Sequence, residues 1–262
     1  IIWEKKWETH SSKLMQLQKQ ISTHILDKIG IDIPEQLKKQ FTLRPTEDAV
    51  AYDEYQKARY IMAKLKKKED LIQAKEHLEN AVEMDPNFMW AQAQIGYVSL
   101  KMGYFEKAEE QLYFALDIAK QDGTSLSNGY VYNQLGILYN QWGKYKKALK
   151  YITMALEIQK QLDRPIVIST FLHNLANSYK NLGDTKAALK YYNESLKIKQ
   201  KYEKRDLQPH TYAMMGNVYL STGEYTKAIA PLSSALAIFQ DIGNAKNEGL
   251  VLLNMTELFI NI

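Results

Sequence analysis

The chain contains no cysteine. That excludes a disulfide framework, a thiolate zinc site and a cysteine nucleophile. It also fits a reducing compartment, and the cytoplasm is the expected location. No run of eighteen apolar residues exists, so no helix is expected to cross a bilayer and no membrane partner is expected. No signal-peptide pattern opens the chain. Residue 1 is Ile rather than Met, and the chain is read as a piece of a longer protein. An excess of one charge is lacking too: 34 basic against 30 acidic residues leave a net charge of +4. Glu and Lys alternate along most of the sequence, which reads as solvated helix faces with some i,i+4 pairing. The densest basic run, Lys64, Lys66, Lys67 and Lys68, is followed at once by Glu69 and Asp70. Counterion release on a nucleic acid needs a clustered stripe of many cations, so no nucleic-acid partner is expected.

Signatures of chemistry are missing as well. The five histidines, His10, His24, His77, His173 and His210, form no His-x-x-x-His or HExxH pair. There is no Walker loop, no GxGxxG and no GxSxG. No catalytic residue, cofactor or metal ligand is expected, and the chain is read as non-enzymatic. If the parent protein is an enzyme, its active site lies elsewhere.

What the sequence does have is a repeat. Gly103, Gly143, Gly183 and Gly223 stand 40 residues apart. Ala108, Ala148, Ala188 and Ala228 follow five residues later, and Gly96, Gly136, Ala176 and Gly216 precede by seven. Ala115, Ala155, Ser195 and Ala235 complete the small residues, and Tyr139, Tyr179 and Tyr219 share one large slot. One more copy lies upstream, with Ala74 to Ala108 giving a step of 34. Apolar residues at i, i+3, i+4 and i+7 around small ones describe a helix hairpin whose two helices approach closely. The recurrent glycine between them suits a left-handed C′ position that ends the first helix.

The runs Leu135-Gly136-x-x-Tyr139 with Ala148, Leu175-Ala176-x-x-Tyr179 with Ala188, and Met215-Gly216-x-x-Tyr219 with Ala228 resemble tetratricopeptide repeats. The 40-residue copies resemble the longer form found in kinesin light chains, Pins-like scaffolds and bacterial peptide-sensing regulators. The resemblance implies an all-α fold: a right-handed superhelical solenoid of helix hairpins, spanning 46–262, with about five hairpins and a final unpaired helix. Six extra residues per repeat would add about 9 Å if helical, at ~1.5 Å per residue, and longer second helices are expected. Thr46 is expected to cap the first helix, with Glu47 and Asp48 in its first turn. The stretch 64–70 is expected to be an extended turn, and Pro231 to kink or loosen its helix. Residues 1–40 are expected to form a separate segment with an adaptor helix near 13–29. There, Ile2-Trp3-Glu4 and Leu17-Gln18-Lys19-Gln20-Ile21 resemble the end of a TolB-like domain. Such domains precede repeats in bacterial adenylate cyclases, protein kinases and winged-helix regulators.

In this family the first helices line a concave groove. Projected from the small residue, the groove-facing set is Tyr97; Asn133, Gln134, Ile137 and Asn140; His173, Asn174, Asn177 and Lys180; Met214, Asn217 and Leu220; and Asn254. Asparagine offers two donors and an acceptor, so it can pair with a peptide backbone of any sequence. His173 and His210 are expected there as polar contacts. The matching slots lack the Lys/Arg cluster with which the chaperone-binding kind of groove clamps a terminal carboxylate. The expected partner is therefore a protein or extended peptide in the groove. The chain reads as the interaction module of a larger bacterial signalling protein, with a peptide-sensing switch or a structural oligomerisation arm as alternatives. The apolar end, Leu250 to Leu253 and Leu258 to Ile260, is the candidate self-association surface.

Overall fold

The computed structural model describes residues 46–261, apart from Lys66 and Thr124. The adaptor helix expected near 13–29 and the TolB-like junction lie outside the described residues. Among these, eleven α-helices follow in order: α1 (Ala49–Ala63), α2 (Lys68–Met84), α3 (Met89–Lys101), α4 (Phe105–Asp122), α5 (Ser125–Gln141), α6 (Tyr145–Gln161), α7 (Pro165–Asn181), α8 (Thr185–Lys201), α9 (Pro209–Ser221), α10 (Tyr225–Asp241) and α11 (Ala245–Asn261). A single 3-10 turn, Arg205–Leu207, precedes α9. The described residues form two compact units, divided between Ile118 and Ala119.

In the first unit α1 packs on α2, and α2 on α3. Tyr55, Leu78, Phe88 and Val98 form its core around Ala51, Ala58, Ala74 and Ala81. In the second unit α5 pairs with α6, α7 with α8 and α9 with α10, and α11 rests on α10. Each first helix is joined to its partner through the small residue read from the sequence. A Cβ on Gly136 would stand 2.3 Å from Ile152 Cγ1, so α6 has taken the space a side chain would need. Ile152, Leu135, Leu138 and Tyr139 are then fully buried around that contact, each contributing ~1.5–3 kcal/mol of burial.

The turns explain the second recurrent glycine. Gly143 has φ +77; its N–H donates to Asn140 O at 3.3 Å, and Lys144 N–H donates to Tyr139 O at 2.8 Å. That pair of bonds satisfies carbonyls which the end of α5 would leave unpaired. The same long-range bond recurs after the second helices: Arg164 N–H to Gln159 O at 3.3 Å and Lys204 N–H to Lys199 O at 2.8 Å. There the left-handed residue is not glycine but Asp163 (φ 46) or Glu203 (φ 54).

Several sequence expectations change in detail. Asp48, not Thr46, caps α1: its Oδ1 accepts from Val50 N–H at 2.8 Å and Ala51 N–H at 2.9 Å. Thr46 instead accepts from Asp48 N–H and donates to Asp85, tying the chain to the α2–α3 turn. The lysine-rich turn is shorter than expected, because α2 starts at Lys68 and Asp70 reaches back to Lys67 N–H at 3.1 Å. The extra residues of the 40-residue step lengthen both helices of the hairpin, not the second alone. Measured from the small residue, α6 and α8 run further than α2, while α5 and α7 start earlier than α3. Before α9 the equivalent residues are the 3-10 turn instead. Helix α10 runs through the buried Pro231 as one element.

Candidate functional site

The first helices α5, α7, α9 and α11 of the second unit lie side by side. Their facing residues are tied from one repeat to the next. Asn174 Nδ2 donates to Asn133 Oδ1 at 3.0 Å. Asn140 Nδ2 donates to Ser178 Oγ at 2.8 Å, and that hydroxyl donates to Asn174 O at 3.2 Å. His173 Nδ1 lies 3.1 Å from Thr211 Oγ1. Asn254 Nδ2 donates to Asn217 Oδ1 at 2.7 Å. All of these but the Ser178–Asn174 bond, which stays within α7, cross one repeat step, so these side chains hold adjacent first helices in register. Asn174, Asn217 and Asn254 are half-buried and keep part of their amide capacity uncommitted, whereas Asn133 is buried.

The other expected residues are placed differently. Asn177 Oδ1 accepts from the Tyr192 hydroxyl of the second helix α8. Gln134 Nε2 donates to Tyr130 Oη on its own helix at 2.9 Å, and Gln134 Oε1 and Asn140 Oδ1 are buried acceptors without a partner. Ile137, Lys180 and Met214 are partly buried. Tyr97 belongs to the first unit, with the Lys101 ammonium 5.2 Å from its ring centroid. Leu220 is a correction: it is 8% exposed and packs in the core with Leu232 and Leu258. One further helical turn past Asn217 the side chain has rotated under the neighbouring helix. His173 and His210 do not share a hydrogen bond; the His210 ring stands edge-on to Phe239, 5.0 Å between centroids.

Polar groups concentrate between α7, α8 and α9. The His173 ring lies 5.3 Å from that of Tyr192. Ser195 Oγ donates to Ser169 O at 2.6 Å, with both residues fully buried. Lys199, 5% exposed, donates from Nζ to Thr211 Oγ1 at 2.7 Å. Burial, then the charges of Lys199, His210 and Lys180, pushes the His173 imidazole down to about 3. Burial pushes the Lys199 amine down to about 8 and raises the Tyr192 phenol. The signal for this cluster was in the repeat frame. Tyr192 occupies the slot of Ile152 and Leu232, and Lys199 that of Gln159 and Phe239. A slot-by-slot reading of second helices would have found both.

No nucleophile–base pair is assembled here, and no group of residues suited to a metal ion occurs among the described residues. What the face presents is rows of amides on a stack of helix hairpins, the architecture of a helical-repeat interaction scaffold. A family profile described as tetratricopeptide repeat matches residues 88–161 and 167–241, more than half of the chain. The chain belongs to the tetratricopeptide repeat family, whose members are typically non-enzymatic scaffolds. No curated protein matches the sequence. Among solved structures, the fold is similar to BtubC (BKLC) from P. vanneervenii, with 22% identity and a TM-score of 0.61, covering 74% of this chain and 82% of that one. It is similar to a signal transduction ATPase with numerous domains, carrying a tetratricopeptide repeat sensor, from Pyrococcus horikoshii (19% identity, TM-score 0.68, 78% of this chain and 32% of that one). It is also similar to a Rap protein complexed with competence and sporulation factor (18% identity, TM-score 0.63, 79% and 57%). No helix among the described residues is long and apolar enough to cross a membrane.

Proposed function

We propose that the first-helix face of the second unit binds an extended peptide, as the interaction module of a larger signalling protein. The observation that carries this reading is the set of inter-repeat amide bonds Asn133–Asn174, Asn140–Ser178 and Asn217–Asn254. These bonds fix the side chains before any ligand arrives, so little further ordering is lost on binding. The half-buried Asn174, Asn217 and Asn254 retain groups that match a peptide backbone, and each hydrogen bond so formed contributes ~0.5–1.5 kcal/mol net. Partly buried Ile137 and Met214 supply apolar contact between the amides. The likeness to a protein with a tetratricopeptide repeat sensor and to a Rap protein complexed with competence and sporulation factor supports a ligand-responsive role.

The test starts from peptides selected by display against the full chain. Changing Asn177 and Asn217 together to Ala is expected to weaken the selected peptides about tenfold or more, since a few lost bonds of ~1 kcal/mol each amount to that. Circular dichroism controls for folding. Undiminished binding by the double variant removes this face from the reading.

A second reading rests on α11. Leu253 and Ile260, 66% and 78% exposed, share one face seven residues apart with Leu250. A partner helix or a second copy would cover them, and the chain would then also act as an oligomerisation arm.

A further inference from the structure

The second helices α6 and α8 carry the same unusual pair of charges. Lys146 and Lys150 on α6, and Lys186 and Lys190 on α8, occupy equivalent slots one 40-residue step apart. All four are exposed. Local physics works against this placement. Lys146 and Lys186 are each the second residue of their helix, where the dipole disfavours a cation. Each stands four residues before another lysine, and like charges at that spacing repel along a helix. None of the four is in an ion pair among the described residues. Nearby acids are committed elsewhere: Asp184 accepts from Ala187 N–H at 2.9 Å, and Glu157 pairs with Lys160, which leaves Glu194. The fold does not require the pattern, because the same slots hold Glu106 and Glu110 in α4, and Thr226 and Ala230 in α10. A stacked tyrosine pair accompanies each row. Tyr151 stacks on Tyr139 with 5.5 Å between centroids, and Tyr191 on Tyr179 with 5.4 Å. The Lys150 ammonium is 5.8 Å from the Tyr151 centroid, and that of Lys190 is 5.2 Å from the Tyr191 centroid. The rings steady the lysine stems without neutralising their charge.

We propose that these two lysine rows form a docking surface for an acidic segment of a partner protein, carried on the second helices rather than on the first-helix face. The two lysines of a row are ~6 Å apart along the helix axis. That spacing matches carboxylates two residues apart on an extended chain, at ~3.3 Å per residue. Helix α7 packs against both α6 and α8, so the rows lie within about 20 Å of each other at ~8–10 Å between packed axes. An acidic stretch of about six to ten residues reaches both. A nucleic-acid strand fits less well, because base stacking needs free aromatic faces. Here the four rings are partly or fully buried and already stacked in pairs. The charges that oppose the helices become favourable once carboxylates arrive, and rows already in place lose little order on binding. Nothing in this surface depends on the amides of the first helices.

The experiment measures binding to the full chain at one fixed ionic strength. The probes are a labelled Glu-Ser repeat peptide of about twelve residues, long enough to cross both rows, and the Gln-Ser peptide of equal length. Single-stranded oligothymidine and phosphatidylserine-containing vesicles stand for the other polyanions. The expected result is saturable binding of the Glu-Ser peptide, at least tenfold tighter than that of any other probe. Lys146→Glu, Lys150→Glu, Lys186→Glu and Lys190→Glu together should weaken it tenfold or more. That variant carries the α4 residues in these slots, and circular dichroism checks its fold. A control of the same net charge, Lys201→Glu with Lys204→Glu, Lys227→Glu and Lys246→Glu, is expected to bind like the parent chain. An equal loss in the control overturns the proposal, because net charge alone then explains the binding. So does a row variant that binds undiminished, equal affinity for the Gln-Ser peptide, or tighter capture by oligothymidine or vesicles. The Asn177→Ala and Asn217→Ala variant should keep its affinity for the Glu-Ser peptide; a loss there would place the peptide on the amide face and overturn the lysine surface.

Discussion

Gly136 and Glu203 show how much one residue decides in this chain. At Gly136 the ideal Cβ position is 2.3 Å from Ile152 Cγ1, far inside contact distance. Gly136→Ala is expected to lower stability by ~1–3 kcal/mol, the usual cost of overpacking a tight contact. The reverse holds at Gly249, also helical, where a Cβ meets nothing within 4 Å. Gly249→Ala should raise stability by ~0.5–1 kcal/mol through helix propensity alone. Urea titration of both variants checks the pair, and equal effects would refute the close approach. Glu203 sits at φ 54, a conformation that costs an L-residue ~1–2 kcal/mol. Glu203→Gly is expected to gain about 0.5–1 kcal/mol after the added freedom of the unfolded chain is counted, seen as a higher melting temperature. The glycines at 103, 143, 183 and 223 were legible in the sequence because the same residue recurs. The equivalent turn after each second helix was not, since Gly123, Asp163, Glu203 and Gly243 share a conformation but not an identity.

Among the elements, α11 departs most from the frame. Its residue in the small slot is Thr256, where other first helices carry Gly96, Gly136, Ala176 and Gly216. A second helix of the same kind could not approach it as closely as α6 approaches α5. Yet its outer face is apolar, with Leu253 and Ile260 largely exposed. If that face joins two copies, Leu253→Lys with Ile260→Lys sediments as a monomer at concentrations where the parent chain associates. An unchanged sedimentation coefficient counts against the oligomerisation arm. The hairpins themselves were legible from the 40-residue step. Where the six added residues went was not, because helical propensity does not say which end of a hairpin grows.

For the molecule as a whole, the polar cluster between α7, α8 and α9 should shape stability against pH. His173 is neutral when folded, its pKa lowered to about 3, while the unfolded chain binds a proton below ~6.5. The unfolded state thus carries more protons in that window, and stability falls as pH falls from about 6.5 toward 3, at most ~1.4 kcal/mol per pH unit. Lys199 works the same way at higher pH: with its amine lowered to about 8, stability rises between about 8 and ~10.4. His173→Asn, which installs the Asn133 of the preceding repeat, should flatten the acid limb in chemical denaturation across pH. An unaltered acid limb would show that His173 is not its source. The sequence by itself determined the hairpin frame, the positions of close approach and the family, because those depend on small, large and turn-forming residues recurring at a fixed step. Only the tertiary structure decided which amides bond across repeats, that Leu220 turns into the core, and that Lys199 is buried beside Thr211. Those outcomes depend on which neighbouring helix covers a side chain, and spacing along one chain does not carry that information.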